Sequence, residues 1–165
     1  MKFIADAMLG RLAKWLRVLG FDTLYYPDIE DGRLVKISRD QERTILTRDT
    51  HFLKRRGLQN AVFIKDDDVF DQLGQIGDLL DFRDAAPMGR CMICNGVLGL
   101  VQAKEEVRDS VPEFIYLHSH EFVKCQGCGK VFWGGSHQQR MKEKIRGIFP
   151  GHAGPLFSAG DEGGN

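Results

Sequence analysis

Three aspartates in the first fifty residues stand where a catalytic site is easily built. Asp6 follows the apolar run Phe3-Ile4-Ala5, Asp31 opens a helical pattern, and Asp49 follows Ile45-Leu46 within ILTRDTHFL. Carboxylates gathered at successive strand ends repel one another unless a divalent cation neutralises them, and hard oxygen donors suit Mg2+ or Mn2+. Such an ion can deprotonate a water and clamp an in-line phosphodiester displacement. Each aspartate also has an ordinary reading, because Asp at a strand exit or helix start is common turn chemistry. Asp28 and Glu30 lie close enough to substitute for Asp31, and Asp66-Asp67-Asp68 is either a further ligand or a solvated turn.

Four cysteines form a second group. Cys91-Met-Ile-Cys94 and Cys125-Gln-Gly-Cys128 are two C-x2-C pairs, followed by Asn95-Gly96 and Gly129. A C-x2-C turn presents two thiolates to one ion, so two pairs supply the four soft donors of a tetrahedral zinc site. Asn or Gly after the second cysteine suits the tight turn around a metal. The competing readings are redox dithiols, which normally open a helix, and buried free cysteines; the glycine turns disfavour the first. A closed four-thiolate site leaves no open coordination position, so this zinc is expected to stabilise rather than catalyse.

Basic residues supply a third set. Arg11, Lys14 and Arg17 recur every three residues, roughly opposite Leu9, Leu12 and Leu16, on a helix that begins just after Asp6. That face is either solvated or a track for a phosphate backbone. Lys54-Arg55-Arg56 and the Lys130–Arg146 region add further candidate phosphate contacts. Arg48 is a candidate partner for phosphate or carboxylate, and Thr47 is placed to orient the turn beside it. With four thiolates already available for zinc, His137 reads as a helix-start residue with a binding or packing role. His51, His118, His120 and His152 have no spacing that suggests a metal.

The elements that must position these groups follow from periodicity. Lys2–Ala5 reads as a short strand and Met8–Leu19 as a helix ended by Gly20. Thr23–Tyr26 reads as a strand, Gly32–Asp40 as a helix with Asp31 as N-cap, and Thr44–Leu46 as a strand. A helix from Thr50 to Arg56, a strand Ala61–Ile64 and a helix through about Leu80 complete the series. Such alternation with short connections predicts a mostly parallel sheet covered on both faces, a three-layer α/β/α fold. Groups just beyond the carboxyl ends of its strands then meet in one crevice.

DFRDAAPMGR, residues 81–90, reads as a boundary. It divides an α/β domain over 1–84 from a small module over 85–146, with strand-like runs Phe114–Leu117 and Glu121–Lys124 and a closing helix Ser136–Ile145 capped by Ser136. The glycine-rich segment 147–165 is expected to be a flexible tail. Lys plus Arg equals Asp plus Glu at 23 each among 165 residues, so no global field advertises a polyanionic partner. No apolar run approaches the roughly 18 residues that cross a membrane, and the charged N-terminus lacks a signal peptide's apolar stretch. A reducing cytoplasm, with cysteines used for metal rather than disulfides, is the expected setting.

Taken in order, FIADAMLGRLAKWLRVLGFDT, ILTRD, RCMICNG and FVKCQGCGKVFWGGSH resemble the ribonuclease domain family named after the C-terminal part of the nematode Mut-seven protein. The resemblance spans roughly residues 2–146. It implies a PIN-like nuclease fold joined to a C-terminal zinc ribbon, with one structural Zn2+ and a catalytic Mg2+ or Mn2+. The family's acids fall on Asp6, Asp31 and Asp49, with Asp67 or Asp68 as a fourth. RNA is the implied substrate, positioned by Arg11, Lys14, Arg17, Thr47, Arg48, His137 and the ribbon, with the ribosome or tRNA among the RNA partners considered. The competing expectation is a non-catalytic RNA- or ribosome-associated zinc-ribbon binding protein; an adaptor that binds only protein is a third.

Overall fold

The computed structural model describes residues 1–55, 58, 60–83 and 85–150, without the side chains of 136–138. Four strands, β1 (Lys2–Ala5), β2 (Asp22–Tyr25), β3 (Thr44–Thr47) and β4 (Ala61–Phe63), form an all-parallel sheet in the order β2-β1-β3-β4. Alternation decides which face each residue serves. Phe3, Ala5 and Leu46 join one core with α1 (Gly10–Val18), α4 (Val69–Gln75) and α6 (Ser136–Ile148). Ile4 and Ile45 join a second core with Leu34 of α2 (Asp31–Asp40) and Phe52 of α3 (Thr50–Leu53). The expected three-layer α/β/α arrangement is present.

The first helix departs from its expected start. Asp6 Oδ1 accepts the amide of Met8 at 2.8 Å, and Ala7–Leu9 forms a 3-10 turn before α1 begins. Gly20 ends the helix at φ +95°, where a Cβ would lie 2.4 Å from the Ala86 carbonyl oxygen. That position therefore requires glycine on both conformational and steric grounds. Asp31 is the first residue of α2 rather than its cap; Glu30 takes the cap position, without a side-chain bond to the helix.

Strands β5 (Leu98–Leu100), β6 (Phe122–Cys125) and β7 (Val131–Trp133) make an antiparallel sheet that carries the cysteine pairs. Between β5 and β6 lie a 3-10 segment, Lys104–Ser110, and α5 (Glu113–His118). The run Phe114–Leu117, expected as a strand, is thus helical. Four apolar residues fit either period, and Pro112 with Glu113 in the first turn favours helix entry. The last helix begins at Ser136 with Gly135 as N-cap, so Ser136 is not the cap. It runs on to Ile148, and Phe149 packs against Phe82 at 5.1 Å between ring centroids, burying residues assigned above to the tail. Among the described residues no helix is long and apolar enough to cross a membrane.

The two sheets are joined at the outer edge of β2. An edge strand leaves alternate N–H and C=O groups without ladder partners. Here Asn95 Oδ1 accepts the Thr23 amide at 3.0 Å, and Arg17 Nε donates to the Thr23 carbonyl at 2.8 Å. The same guanidinium donates through Nη1 to the carbonyls of Met92 and Ile93, inside the first cysteine turn, at 3.1 and 3.0 Å. Arg17 is only 4% exposed, so it leaves the expected basic face and acts as a strut. Asp22 completes the junction. It accepts from Asn95 Nδ2 at 2.8 Å and Arg43 Nη1 at 2.7 Å, with Arg90 3.7 Å away. Burial opposes its ionisation, but Arg43 and Asn95 outweigh that and hold the carboxyl below its ordinary value of 3.8.

Two outcomes follow. Arg17→Met strands the buried Thr23 carbonyl, an orphan costing about 1–3 kcal/mol, and removes a donor from two part-buried ones, so denaturant titration should show a loss of about 2 kcal/mol or more. Because the folded pKa of Asp22 is depressed, its stabilisation is full above the ordinary carboxyl value and drains away as pH falls below it towards the folded value. Asp22→Asn should be less stable at neutral pH and should lose less further stability on acidification, read from midpoints at successive pH values.

Candidate functional site

The strand order fixes where a ligand crevice opens. From β1 the chain crosses through α1 to β2 on one side, then returns through α2 to β3 on the other side of β1. Because α1 and α2 lie in different cores, the connections diverge between β1 and β3. The carboxyl ends at such a switch point are where open parallel sheets bind ligands. Asp6 and Asp49 are the residues that follow those two strands.

A hydroxyl links the pair. Thr47 Oγ1 donates to Asp6 Oδ2 at 2.6 Å and accepts the Asp49 amide at 3.0 Å. The backbone amide of Arg48 adds a second donor to Asp6 Oδ2 at 2.7 Å. Asp49 Oδ1 caps α3 by accepting the His51 amide at 2.7 Å. Thr47 is 1% exposed, so its hydroxyl is spent beneath the site on the Asp6 carboxylate and the Asp49 amide. Asp6 and Asp49 themselves are half-buried.

The remaining acids are engaged outward. Asp31 is exposed and pairs with Arg55 at 3.1 Å, while Asp67 is exposed and pairs with Arg48. Asp68 caps α4 through the Phe70 amide at 2.8 Å. Among the described residues, the carboxylates of Asp6, Asp31 and Asp49 do not all come within 4.8 Å of one another. Arg11 and Lys14 are exposed on α1, as expected. The side chain of His137 and the whole of Arg56 lie outside the described residues.

One neighbour was not singled out from the sequence. Tyr25, at the carboxyl end of β2, donates its phenol to the Ala7 carbonyl at 3.2 Å, beside Asp6. Its ring leaves no room for a side chain at position 10, where a Cβ would stand 2.8 Å away. The signal available was Gly10 near the start of a helix, where glycine has no propensity advantage.

The cysteines form the group that can hold a zinc ion. Their four sulfurs all lie within 4.8 Å of one another, the one set of three or more metal-ligating groups so close among the described residues. Sγ–Sγ separations of 3.8 Å for Cys91–Cys128 and 3.4 Å for Cys94–Cys125 lie at and somewhat below the edge of a zinc tetrahedron. That edge is about 3.8 Å for Zn–S bonds of about 2.3 Å. Backbone amides support the thiolates: Gly96 donates to Cys94 at 3.4 Å, and Gly127 and Cys128 donate to Cys125 at 3.3 and 3.4 Å. Burial pushes the Cys91 thiol up to about 12. Cys125, despite burial, is drawn down to about 7 by the Cys128 amide and the Cys94 thiol. Four adjacent thiols resist joint ionisation, and a divalent cation is what makes all four thiolates compatible.

Compared with known proteins, the chain matches the family model described as the Mut7-C RNAse domain over residues 1–145. No curated protein and no solved structure matches it. The match spans both sheets and the first ten residues of α6.

Metal analysis should find one zinc per chain, lost in Cys125→Ser. Because Asn95 and Arg17 tie the first cysteine turn to β2, stripping the metal should lower a single unfolding transition. Two transitions, with the parallel sheet unaffected, would contradict that coupling.

Proposed function

We propose that this chain, which belongs to the Mut7-C RNAse domain family, is a metal-dependent ribonuclease acting at the crevice outside β1 and β3. The observation that supports this most is the Thr47 hydroxyl, which holds the Asp6 carboxylate and the Asp49 backbone together at the switch point of the sheet while the His51 amide holds the Asp49 carboxylate. Their hard oxygen donors fit Mg2+ or Mn2+. Asp6 and Asp49 would hold the ion, and the bound ion would supply an activated water. Asp31 would have to leave its ion pair with Arg55 to join them as the third acid.

The chain's own residues supply the rest. Asp6 keeps its orientation through Thr47 and the Arg48 amide, so neither oxygen wanders when a phosphate approaches. Arg11 and Lys14, exposed on the helix that starts beside Asp6, give the RNA backbone a cationic track. The guanidinium of Arg48, now on Asp67, is the candidate phosphate partner on the residue between Thr47 and Asp49. Arg17 is removed from the substrate set by its burial, and the cysteine sheet positions RNA only indirectly, by holding β2.

Three variants test the reading with a labelled single-stranded RNA in Mn2+, Mg2+ or EDTA. Asp6→Asn should abolish cleavage with fold and zinc retained. Thr47→Val should cost roughly 10- to 100-fold in rate or Mn2+ affinity, as is usual for groups that orient metal ligands; Thr47→Ser should recover most of it. RNA cleavage that survives EDTA and Asp6→Asn would sink the assignment, and salt-sensitive RNA binding without cleavage would favour the binding-module alternative.

A further inference from the structure

The connection between β5 and β6 is longer than the sheet needs. Leu100 pairs with Val123, and antiparallel neighbours this close can be joined by a short turn. Residues 101–121 intervene and fold into the 3-10 segment and α5. On their inner side Val107 and Val111 are buried with Phe122 and Val131, and Ile115 and Tyr116 pack against them. This small core accounts for the stability of the segment.

It does not account for the outer side. Phe114 is 68% exposed and Leu117 61%, three residues apart on α5 and therefore on one face. The His118 ring stacks on Phe114 at 4.2 Å between centroids and widens the platform. α5 thus carries apolar side chains both inward and outward, whereas a surface helix ordinarily presents a polar outer face. Neither outward residue contributes to the described cores.

The charge of this segment is one-sided. Residues 101–121 hold five acids, Glu105, Glu106, Asp109, Glu113 and Glu121, against Lys104 and Arg108. All five acids are exposed. Both cations lie over the Tyr116 ring, at 4.8 Å for Lys104 and 5.7 Å for Arg108. The segment therefore carries a formal −3 within a chain of net charge zero. Such a field repels a phosphate backbone and attracts cations.

We propose that the Phe114–Leu117 face of α5 docks a basic amphipathic segment of a partner protein. Its apolar side chains would seat on Phe114 and Leu117, and its Lys and Arg residues would face Glu105, Glu106, Asp109 and Glu113. Exposed anchors at helical spacing and exposed acids of opposite charge on the same segment are the two elements of helix-on-face recognition. This inference is independent of the catalytic reading.

The test uses the full zinc-loaded chain and a synthetic helical peptide with one leucine face and one lysine face, followed by fluorescence anisotropy. Its controls are the same peptide with glutamate for lysine, and a single-stranded RNA. Phe114→Ser/Leu117→Ser should weaken the lysine peptide at least about tenfold, as loss of anchor residues does. Glu105→Gln/Glu106→Gln/Asp109→Asn/Glu113→Gln should weaken it several-fold and flatten its salt dependence. Both sets lie on the surface, and zinc content with circular dichroism verifies their fold. Unchanged affinity in the serine variant, or equal binding of the glutamate peptide, would overturn the proposal. Loss of RNA binding in the serine variant would also overturn it, assigning the face to nucleic acid.

Discussion

The outer edge of β2 is the constraint on which the rest of this fold turns. Thr23 directs its amide and carbonyl away from β1 into a buried site, where an unpartnered backbone group is costly. The partners come from two distant places, Arg17 on α1 and Asn95 immediately after Cys94. Asn95 holds φ +69°, a left-handed conformation that asparagine tolerates better than most residues. The turn that closes one half of the metal site therefore also aims the side chain that seals the parallel sheet. Loosening the cysteine turn releases Asn95, then the β2 edge, then the neighbour of β1, whose last residue precedes Asp6.

From that edge the order of elements leads directly to the acid pair. β1 and β3 are the inner strands, and the chain's reversal between them opens a divergence of crossovers in the parallel sheet. A carboxylate there needs donors that hold it without neutralising it. Thr47 meets this with one group, because a hydroxyl donates and accepts at once. Valine would have the same shape and β propensity but would leave Asp6 short of a donor and the Asp49 amide short of an acceptor. The geometry of the TRD stretch thus depends on its least exposed member.

Much of this was legible in the sequence, for reasons that also explain the misses. Strand–helix alternation, the leucine spacing of α1 and the two C-x2-C pairs are local patterns, and local patterns dictated the layers and the cysteine cluster. Arg17 departs from the basic face because a repeat of three is not a helical period. At about 100° per residue, positions three apart slip by about 60°, so Arg17 stands about 120° round the helix from Arg11. That slip carries it from solvent to the interface. Phe114–Leu117 is too short to reveal a period. Asn95 looked like an ordinary turn residue, since its partner Thr23 is 72 positions away and no local pattern reports it.

The junction has an electrostatic logic beyond hydrogen bonding. A zinc ion with four thiolates carries a net charge of −2, and Arg17 and Arg90 both border the first cysteine turn. Burial lowers the pKa of Arg17, and Cys91 and Cys94 in their ionised forms, together with Asp22, oppose that shift. A buried guanidinium is tolerable only with such counter-charge. The thiolates, for their part, need the metal to exist side by side. With a metal bound, the ion, thiolates and guanidinium would form a chain of alternating charge whose last link is the carbonyl of the edge strand. This is why the cysteine sheet behaves as part of the parallel sheet's architecture, although the two are built from different residue patterns.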